Sequence, residues 1–190
     1  MERAAEKRVA EKRERLFIGV PLSEEARGAI ARALPKKLPG KVVPAENWHF
    51  TLRFLGSTEP DKRDQVIRTL TAATCGPRFN VRFNELGAFP SPGRARILWL
   101  GVDEGAERMA QLGAIAEAAA RIAGFAAETR ELKPHLTLSR IDPPASVRAL
   151  LGSKLRFGTR MTVDSVILYR SRLGGGPARY EEIVRIALGR

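Results

Sequence analysis

Two histidines are the residues in this sequence best placed to do chemistry. They are the only histidines among 190 residues, and each opens the same motif, H-x-T-L, at 49–52 and at 135–138. In a strand, residues two apart point to the same face, roughly 6.6 Å from each other. His49 therefore shares a face with Thr51 and His135 shares one with Thr137. The spacing predicts that the residues between them enter the core while the polar face lines a cleft.

Two imidazoles facing each other across a cleft, each beside a hydroxyl, can cleave a phosphodiester without a metal. The neutral imidazole takes a proton from water, and the protonated one gives a proton to the leaving oxygen. The hydroxyls of Thr51 and Thr137 can donate to the non-bridging phosphate oxygens as negative charge accumulates. Alternatively, each histidine is a hydrogen-bonded core residue and each threonine a strand former. The duplication of the motif favours the chemical interpretation.

The elements around the histidines repeat with an offset of 86 residues. Each H-x-T-L strand is followed by an acidic, proline-containing turn, a helix, and two strands joined by a loop rich in Gly and Pro, PSPGRARILWL (90–100) in the first half and GGGPARYEEIV (174–184) in the second. An internal duplication dictates architecture. We therefore expect two similar lobes related by a pseudo-two-fold axis, with their equivalent strands face to face.

Periodicity and turn residues predict the individual elements. Ser23 caps a helix that ends near Leu34, and Pro143 with Pro144 introduces a helix to about Leu151. Further helices are predicted over about 60–74 and 104–123. Strands are predicted from Leu16 and over 79–89, 95–102, 161–171 and 178–188.

Composition predicts one folded domain behind a charged extension. Residues 1–15 hold six basic and four acidic side chains and almost no apolar surface, which is typical of a solvated helical or disordered segment. Residues 16–190 form a single domain, since a chain of this length with 44% hydrophobic residues can fill a core.

The chain offers little for a disulfide, a structural metal or a membrane. Cys75 is the only cysteine, so there is no intrachain disulfide and no cysteine-based zinc site. No apolar run approaches the roughly 18 residues of a membrane span, and the N-terminus lacks the apolar core of a secretory signal. We expect a cytoplasmic monomer without metal, cofactor or membrane contact.

The charge of the chain is strongly basic, with 33 Lys and Arg against 21 Asp and Glu and a formal net charge of +12. Clustered cations attract phosphate, which predicts nucleic-acid or nucleotide partners. Arginine, whose planar fork suits phosphate, supplies most of the basic residues. The alternative is coding bias, because the chain is also rich in Ala and Gly, as a GC-rich genome would produce.

The sequence resembles the 2H phosphoesterase superfamily, and within it the bacterial and archaeal RNA 2′,3′-cyclic phosphodiesterases, historically called 2′-5′ RNA ligases. The resemblance covers residues 15 to about 188. It is carried by NWHFTLRFLG (47–56) and KPHLTLSR (133–140), with RLFIGVPLSEEAR (15–27) and FPSPGRARILWLGV (89–102) in support. The 15-residue extension departs from the family, which usually begins near the residue matching Arg15.

The resemblance implies an α+β, bilobal fold, with an antiparallel sheet in each pseudo-symmetric lobe, helices on the outer face and an active-site cleft between the sheets. It implies metal-independent hydrolysis of RNA 2′,3′-cyclic phosphate ends to 2′-phosphates. By that resemblance His49 is the general acid that protonates O3′, and His135 is the general base.

Several further residues are candidate phosphate or RNA contacts. Strict alternation puts Arg53 on the face of His49 and leaves Arg140 on the far side of its strand. The family pattern instead implies Arg140 as the phosphate ligand, which requires its strand to end or bulge near Ser139. Arg94 and Arg96 follow a turn and are possible RNA contacts or solvated loop charges.

Aromatic residues near the motifs have two interpretations. Trp48, Phe50, Phe54 and Trp99 could offer a base a stacking surface, but aromatic residues on strands usually belong to the core.

Two other functions use the same cleft. One is a non-catalytic RNA- or nucleotide-binding module, although no run of basic and aromatic residues typical of such modules is present. The other is ligation of the cyclic phosphate to a 5′-hydroxyl, a minor activity at the same site because water competes.

Overall fold

A computed structural model describes residues 13–153, 155, 157–174 and 176–189. Most of the charged extension predicted for residues 1–15 lies outside the described residues. The first strand, β1, spans Glu14–Pro21 and so begins two residues before the predicted start at Leu16. The reason is pairing, since Glu14 and Arg15 extend the ladder to Thr58 and Ser57.

Most of the remaining elements agree closely with the periodicity of the sequence. The helices are α1 (Glu24–Ala33), α2 (Pro60–Ala72), α3 (Ala106–Ile122) and α4 (Arg148–Leu151), with a 3₁₀ turn at Ala45–Asn47. The strands after β1 are β2 (Lys41–Val42), β3 (His49–Thr58), β4 (Phe79–Phe89), β5 (Ala95–Glu104), β6 (His135–Ala145), β7 (Arg160–Val163), β8 (Ser165–Arg172) and β9 (Arg179–Ala187).

The strands form two antiparallel halves that meet at the histidine strands. Their order is β7-β4-β5-β6-β3-β1-β8-β9, with the short β2 paired to β6. The junction of β3 and β6 is the pair Phe50–Leu136, whereas β3 pairs with β1 from Pro21 to Glu14. A contact this short lets the two halves splay apart, and the expected α+β, bilobal fold with a cleft between its sheets is confirmed.

The two sequence repeats are interleaved between the lobes. Strands β4 and β5, which follow the first histidine strand, pair with the second one, β6, while β8 and β9 join β3 through β1. The equivalent strands β3 and β6 lie side by side rather than face to face as expected from the duplication. The segment 161–171, predicted as one strand, is divided at Asp164 into β7, which pairs with β4, and β8, which pairs with β1 and β9.

The helices pack on the sheet face opposite the cleft. Ile30 of α1, Val66 of α2 and Met109 of α3 are fully buried in the main core, which they share with Leu16 and Ile18 of β1. The alternate residue Phe17 belongs to a separate small cluster on the other face. Helix α1 begins where predicted because the hydroxyl of Ser23 accepts a hydrogen bond from the backbone N–H of Ala26.

The helix predicted from Pro143 is mostly absent. Strand β6 continues through both prolines to Ala145, and α4 is a single turn that begins only at Arg148. A proline disfavours helical geometry in the residue before it. Two consecutive prolines therefore keep Asp142 and Pro143 extended.

Candidate active site

A cleft of about 460 Å³ opens on the sheet face away from the helices. It is lined by residues of both lobes, among them Arg15, His49, Thr51, Phe54, Thr137 and Arg140. Its size is in the range usual for small-molecule sites.

The pairing of β3 with β6 brings the two H-x-T-L motifs together. Phe50 lies opposite Leu136, and both side chains are buried in the core. Extending this antiparallel register by one residue in each direction puts His49 opposite Thr137 and Thr51 opposite His135. Because strand residues alternate, all four polar side chains share the face opposite the buried pair. The motifs thus form one polar cluster at the junction of the lobes.

His49 is held in a defined orientation by the backbone just before its strand. Its Nδ1–H donates to the carbonyl of Asn47 at 2.8 Å, and its Nε2 lies 3.0 Å from Oγ1 of Thr51. A carbonyl oxygen only accepts, so Nδ1 carries the proton and Nε2 of the neutral ring accepts from the hydroxyl of Thr51. The nitrogen that can exchange a proton therefore faces the cleft.

His135 uses the same device. Its Nδ1 lies 2.7 Å from the carbonyl of Lys133, two residues earlier, to which it donates. The two histidines therefore have equivalent backbone partners in the two repeats. In the neutral ring this leaves Nε2 unprotonated, as in His49.

Burial gives the two imidazoles low proton affinity. It lowers the pKa of His49 from 6.5 to about 4; the bond to Asn47 acts in the opposite direction, and the charges of His135 and Arg140 lower the pKa further. Burial also lowers the pKa of His135, the bond to Lys133 opposes it, and the charges of Lys133 and Arg140 add to the decrease. Arg140 thus lowers the pKa of both histidines and His135 lowers that of His49, so the three groups lie close enough to interact electrostatically.

The rings around the two histidines differ. His49 lies 4.6 Å, centroid to centroid, from Phe17, and the ring of Tyr180 meets it edge-on at 5.0 Å. His135 meets Phe89 edge-on at 5.2 Å and has Trp99 at 6.1 Å. These rings contribute to the burial that lowers the pKa of both imidazoles.

A bulge in β6 turns Arg140 toward the cleft. Leu98 of β5 pairs with Ser139, whereas the next residue, Trp99, pairs with Thr137, so Leu138 is one extra residue in β6. The extra residue reverses the alternation that follows it. Arg140 consequently lines the same cleft as Thr137, the placement that the family resemblance implied for a strand that bulges near Ser139.

Strand β3 carries a bulge at the equivalent position, and this bulge moves Arg53 away from the predicted face. Ile18 of β1 pairs with Arg53 and Gly19 with Thr51, so Leu52 is the extra residue. Arg53 donates to Glu117 of α3 and to the carbonyl of Ala126. The alternation that put Arg53 beside His49 is therefore wrong, because it assumed a regular strand.

Phe54 takes the place in the cleft that alternation gave to Arg53. It is 60% exposed and lines the cleft, so the expectation that it belongs to the core is wrong. Phe54 and Arg140 are 86 residues apart and therefore occupy equivalent positions in the two repeats. Trp48, Phe50 and Trp99 are buried as expected of strand aromatics.

Comparison with known proteins identifies the family. A family model described as LigT like Phosphoesterase matches residues 20–99. The RNA 2′,3′-cyclic phosphodiesterase of Aeropyrum pernix is 36% identical over 114 residues, which are 60% of this chain and 64% of that protein. The protein of the same name from Archaeoglobus fulgidus is 34% identical over 131 residues, 67% of this chain and 72% of that protein. This chain belongs to the LigT-like phosphoesterase family.

The fold of this LigT-like phosphoesterase agrees with a solved structure. The crystal structure of E. coli LigT complexed with 3′-AMP superimposes with a TM-score of 0.78 at 25% identity, over 94% of this chain and all of that one. The region aligned with the Aeropyrum protein spans slightly less than two thirds of that relative.

The other predicted contacts of this LigT-like phosphoesterase lie away from the cleft. Arg94 and Arg96 are exposed near the β4–β5 turn, and neither lines the cleft. Arg96 has Asp142 as a distant ionic partner at 3.8 Å. Loop arginines that solvent already surrounds need no ligand to explain them.

Sequence reasoning missed the residues that β1 and β9 bring to the cleft. Phe17 and Arg15 alternate with core residues on β1, and Tyr180 enters from β9. The alternation of Arg15 and Phe17 with Leu16 and Ile18 was the signal available in the sequence. It could not show that β1 lies beside the histidine strand.

The described residues contain no group of three or more His, Cys, Asp or Glu side chains arranged to hold a metal ion. None of their helices has the length and apolarity needed to cross a membrane.

Proposed function

We propose that this LigT-like phosphoesterase hydrolyses RNA 2′,3′-cyclic phosphate ends to 2′-phosphates; its curated relatives are named RNA 2′,3′-cyclic phosphodiesterases. The observation that carries the proposal is the convergence of the two H-x-T motifs. His49, Thr51, His135 and Thr137 share one face of the β3–β6 junction, and His49, Thr51 and Thr137 line the cleft directly.

The reaction needs one proton taken from water and one given to O3′. The attacking water forms the new P–O bond as the P–O3′ bond breaks, and the ribose keeps the phosphate on O2′. Each histidine fixes its Nδ1–H on a backbone carbonyl, which leaves Nε2 for proton transfer. The hydroxyls of Thr51 and Thr137, together with the guanidinium of Arg140, stabilise the charge on the non-bridging oxygens.

In this proposal His49 is the general acid and His135 the general base, as the family resemblance implies. The lowered pKa of His49 makes its neutral form dominant in the free protein. An acid must carry a proton, so substrate binding has to reverse this preference. The phosphate anion offsets the charge of Arg140, which otherwise lowers the pKa of both histidines.

The experiment that tests the activity is hydrolysis of an oligonucleotide 2′,3′-cyclic phosphate in the presence of EDTA, with the product identified by phosphorus NMR. We expect a 2′-phosphate at undiminished rate, because the histidines perform the proton transfers. Loss of activity with EDTA and its recovery with a divalent ion would overturn the two-histidine mechanism.

Alanine variants separate the enzyme from a non-catalytic binding module. His49→Ala and His135→Ala should each lower kcat by about 10²–10⁴ while RNA affinity stays within a few fold. The double variant should have a kcat only slightly lower than that of the less active single variant, because the two histidines act as a unit. A binding module would show no turnover in the parent protein and a loss of affinity in either variant.

A sulfur leaving group tests which histidine is the acid. A thiolate leaves without protonation, so a substrate with sulfur in place of O3′ removes the need for a general acid. We expect His49→Ala to recover most of its lost rate on this substrate and His135→Ala to recover little. Recovery in His135→Ala instead would exchange the two roles.

Product analysis with an added 5′-hydroxyl oligonucleotide measures ligation, which we expect to be minor beside hydrolysis.

A further inference from the structure

The cleft continues along β1 beyond the residues assigned to the reaction. Gly19 of β1 lies opposite Thr51, Phe17 lies opposite Phe54, and Arg15 lies opposite Ser57. From Gly19 to Arg15 the strand advances about 13 Å. The cleft therefore reaches well past the phosphate position between the histidines, and its far part is lined by Phe54 and Arg15.

Phe54 offers an apolar surface to the middle of this track. It is one of four large hydrophobic side chains that are exposed among the described residues, at 60%, and it borders the cleft. An exposed aromatic ring in a concave site is a stacking surface for a nucleic-acid base, which contributes regardless of base identity. A base stacked on Phe54 would belong to the terminal nucleoside, whose ribose carries the cyclic phosphate at the histidines.

Arg15 places a positive charge at the outer end. Its neighbour Glu14 is held by Arg63 and Arg170. Arg15 itself forms no ion pair with any residue that the structure describes, and it is exposed to the cleft. Arg53, by contrast, forms an ion pair with Glu117. An arginine in a cleft without an acidic partner suits a phosphate, which its planar fork binds through two hydrogen bonds.

The order along the track, histidines, then Phe54, then Arg15, matches the order of groups at an RNA 3′ end: cyclic phosphate, nucleoside, internucleotide phosphate. We propose that Arg15 binds the internucleotide phosphate on the 5′ side of the terminal nucleotide, whose base stacks on Phe54. The substrate class is then the end of an RNA strand rather than a free cyclic mononucleotide. This inference rests on the proposed function and specifies the substrate of the same site.

The test compares uridine 2′,3′-cyclic phosphate, which has no second phosphate, with the dinucleotide that carries the same terminal group. Arg15→Ala should lower kcat/KM on the dinucleotide roughly tenfold, mainly through KM, and leave the mononucleotide within about twofold. Arg68→Ala is the matched control, because Arg68 is exposed on α2, which packs on the opposite face of the sheet. Arg68→Ala should leave kcat/KM on both substrates unchanged.

Salt dependence gives a second readout that a purely structural role would not change. Loss of one phosphate contact should reduce the slope of log KM for the dinucleotide against log salt in Arg15→Ala. The slope for the mononucleotide should stay as in the parent protein. Thermal unfolding of each variant establishes that the fold is intact.

The outcomes distinguish this inference from the proposed function. If Arg15→Ala affects both substrates equally, or neither, the subsite is overturned while cyclic-phosphate hydrolysis stands. If the parent protein hydrolyses neither substrate, the proposed function itself fails. Phe54→Leu should lower kcat/KM on both substrates, since both carry the terminal base. An effect on the dinucleotide alone would move the stacking position to the preceding nucleotide and contradict the order proposed.

Discussion

The two histidines have the same backbone anchor but different surroundings, and their titration follows from this. In the free protein the pKa of His49 is about 4, and that of His135 is also below its ordinary value of 6.5. Catalysis needs one protonated and one neutral ring. We therefore expect a bell-shaped kcat/KM profile with both limbs at or below about pH 6.5, as macroscopic values of a coupled pair.

The profile of kcat reports the enzyme–substrate complex and should lie at higher pH, because the bound phosphate offsets Arg140. Arg140→Gln provides the control, since removal of the positive charge should displace the kcat/KM profile itself toward higher pH. Identical pH profiles for kcat and kcat/KM in the parent protein would contradict this electrostatic account.

The two arginines that follow the motifs should respond differently to lysine. Arg140→Lys keeps the charge but loses the two-pronged hydrogen bonding, so kcat/KM should fall roughly tenfold. Arg53→Lys should leave kcat/KM nearly unchanged and lower the free energy of unfolding by about 1 kcal/mol, because Arg53 joins β3 to Glu117 of α3. Steady-state kinetics and urea unfolding measure the two effects; the reverse ranking in kcat/KM would place Arg53 at the phosphate.

At the scale of elements, the site depends on how closely β1 approaches the histidine strand. A Cβ at Gly19 would lie 2.7 Å from the backbone oxygen of Phe50 and 3.5 Å from Cδ2 of His49. The oxygen belongs to a paired strand and cannot move alone. Gly19→Ala should therefore displace His49, lowering kcat roughly tenfold or more, and should lower the free energy of unfolding by about 1–3 kcal/mol.

Gly158→Ala is the control for this substitution, because a Cβ at Gly158 meets no atom within 4 Å. It should leave both kcat and the free energy of unfolding unchanged within error. An active Gly19→Ala variant with a normal urea transition would show that β1 and β3 separate without moving the histidine.

The two bulges, one in each histidine strand, are the second way in which the elements shape the site. Leu52 in β3 and Leu138 in β6 are extra residues at equivalent positions of the repeat. Each bulge sends one more side chain into the cleft, Phe54 in one lobe and Arg140 in the other. The duplicated backbone thus supplies symmetry, and the different residues on it place a guanidinium on one side and an apolar surface on the other.

At the scale of the whole molecule, the partly buried histidines link stability to pH. Between about pH 6.5 and pH 4 an unfolded chain protonates its imidazole, whereas folded His49 does not. The unfolded state then binds more protons, so the free energy of unfolding falls as the pH decreases through this window, by up to about 3 kcal/mol for His49. His135 contributes in the same direction.

Urea unfolding at pH 7 and at pH 4.5 measures this linkage. His49→Gln lacks the titrating group, so its loss of stability between the two pH values should be smaller than that of the parent protein. An equal loss in both proteins would assign the acid sensitivity to carboxylates and contradict the burial of His49.

Interleaving of the repeats also belongs to this scale. Because β4 and β5 pair with β6, while β8 and β9 pair through β1 with β3, each lobe contains strands from both halves of the sequence. Neither half can complete its sheet alone. The relative position of the two histidines is consequently fixed by pairing along the whole molecule rather than by a hinge between independent lobes.

The sequence by itself determined the candidate residues of the proposed reaction and most of the elements. Two H-x-T-L motifs and their offset of 86 predicted the duplicated strands, and apolar periodicity predicted α1, α2 and α3 because each helix buries one stripe. The family expectation is confirmed by the curated relatives. These features are local, so the identity and spacing of neighbouring residues are sufficient to specify them.

Only the tertiary structure decided which side chains share the cleft. Arg53, Phe54 and Arg140 are placed by bulges, and a bulge depends on the partner strand, which the sequence of one strand does not contain. Arg15 enters the cleft because β1 pairs with β3. The lowered pKa of His49 likewise depends on burial between elements distant in the chain. Strand pairing and burial are non-local, and for that reason they set the geometry and electrostatics of the site that the motifs alone left open.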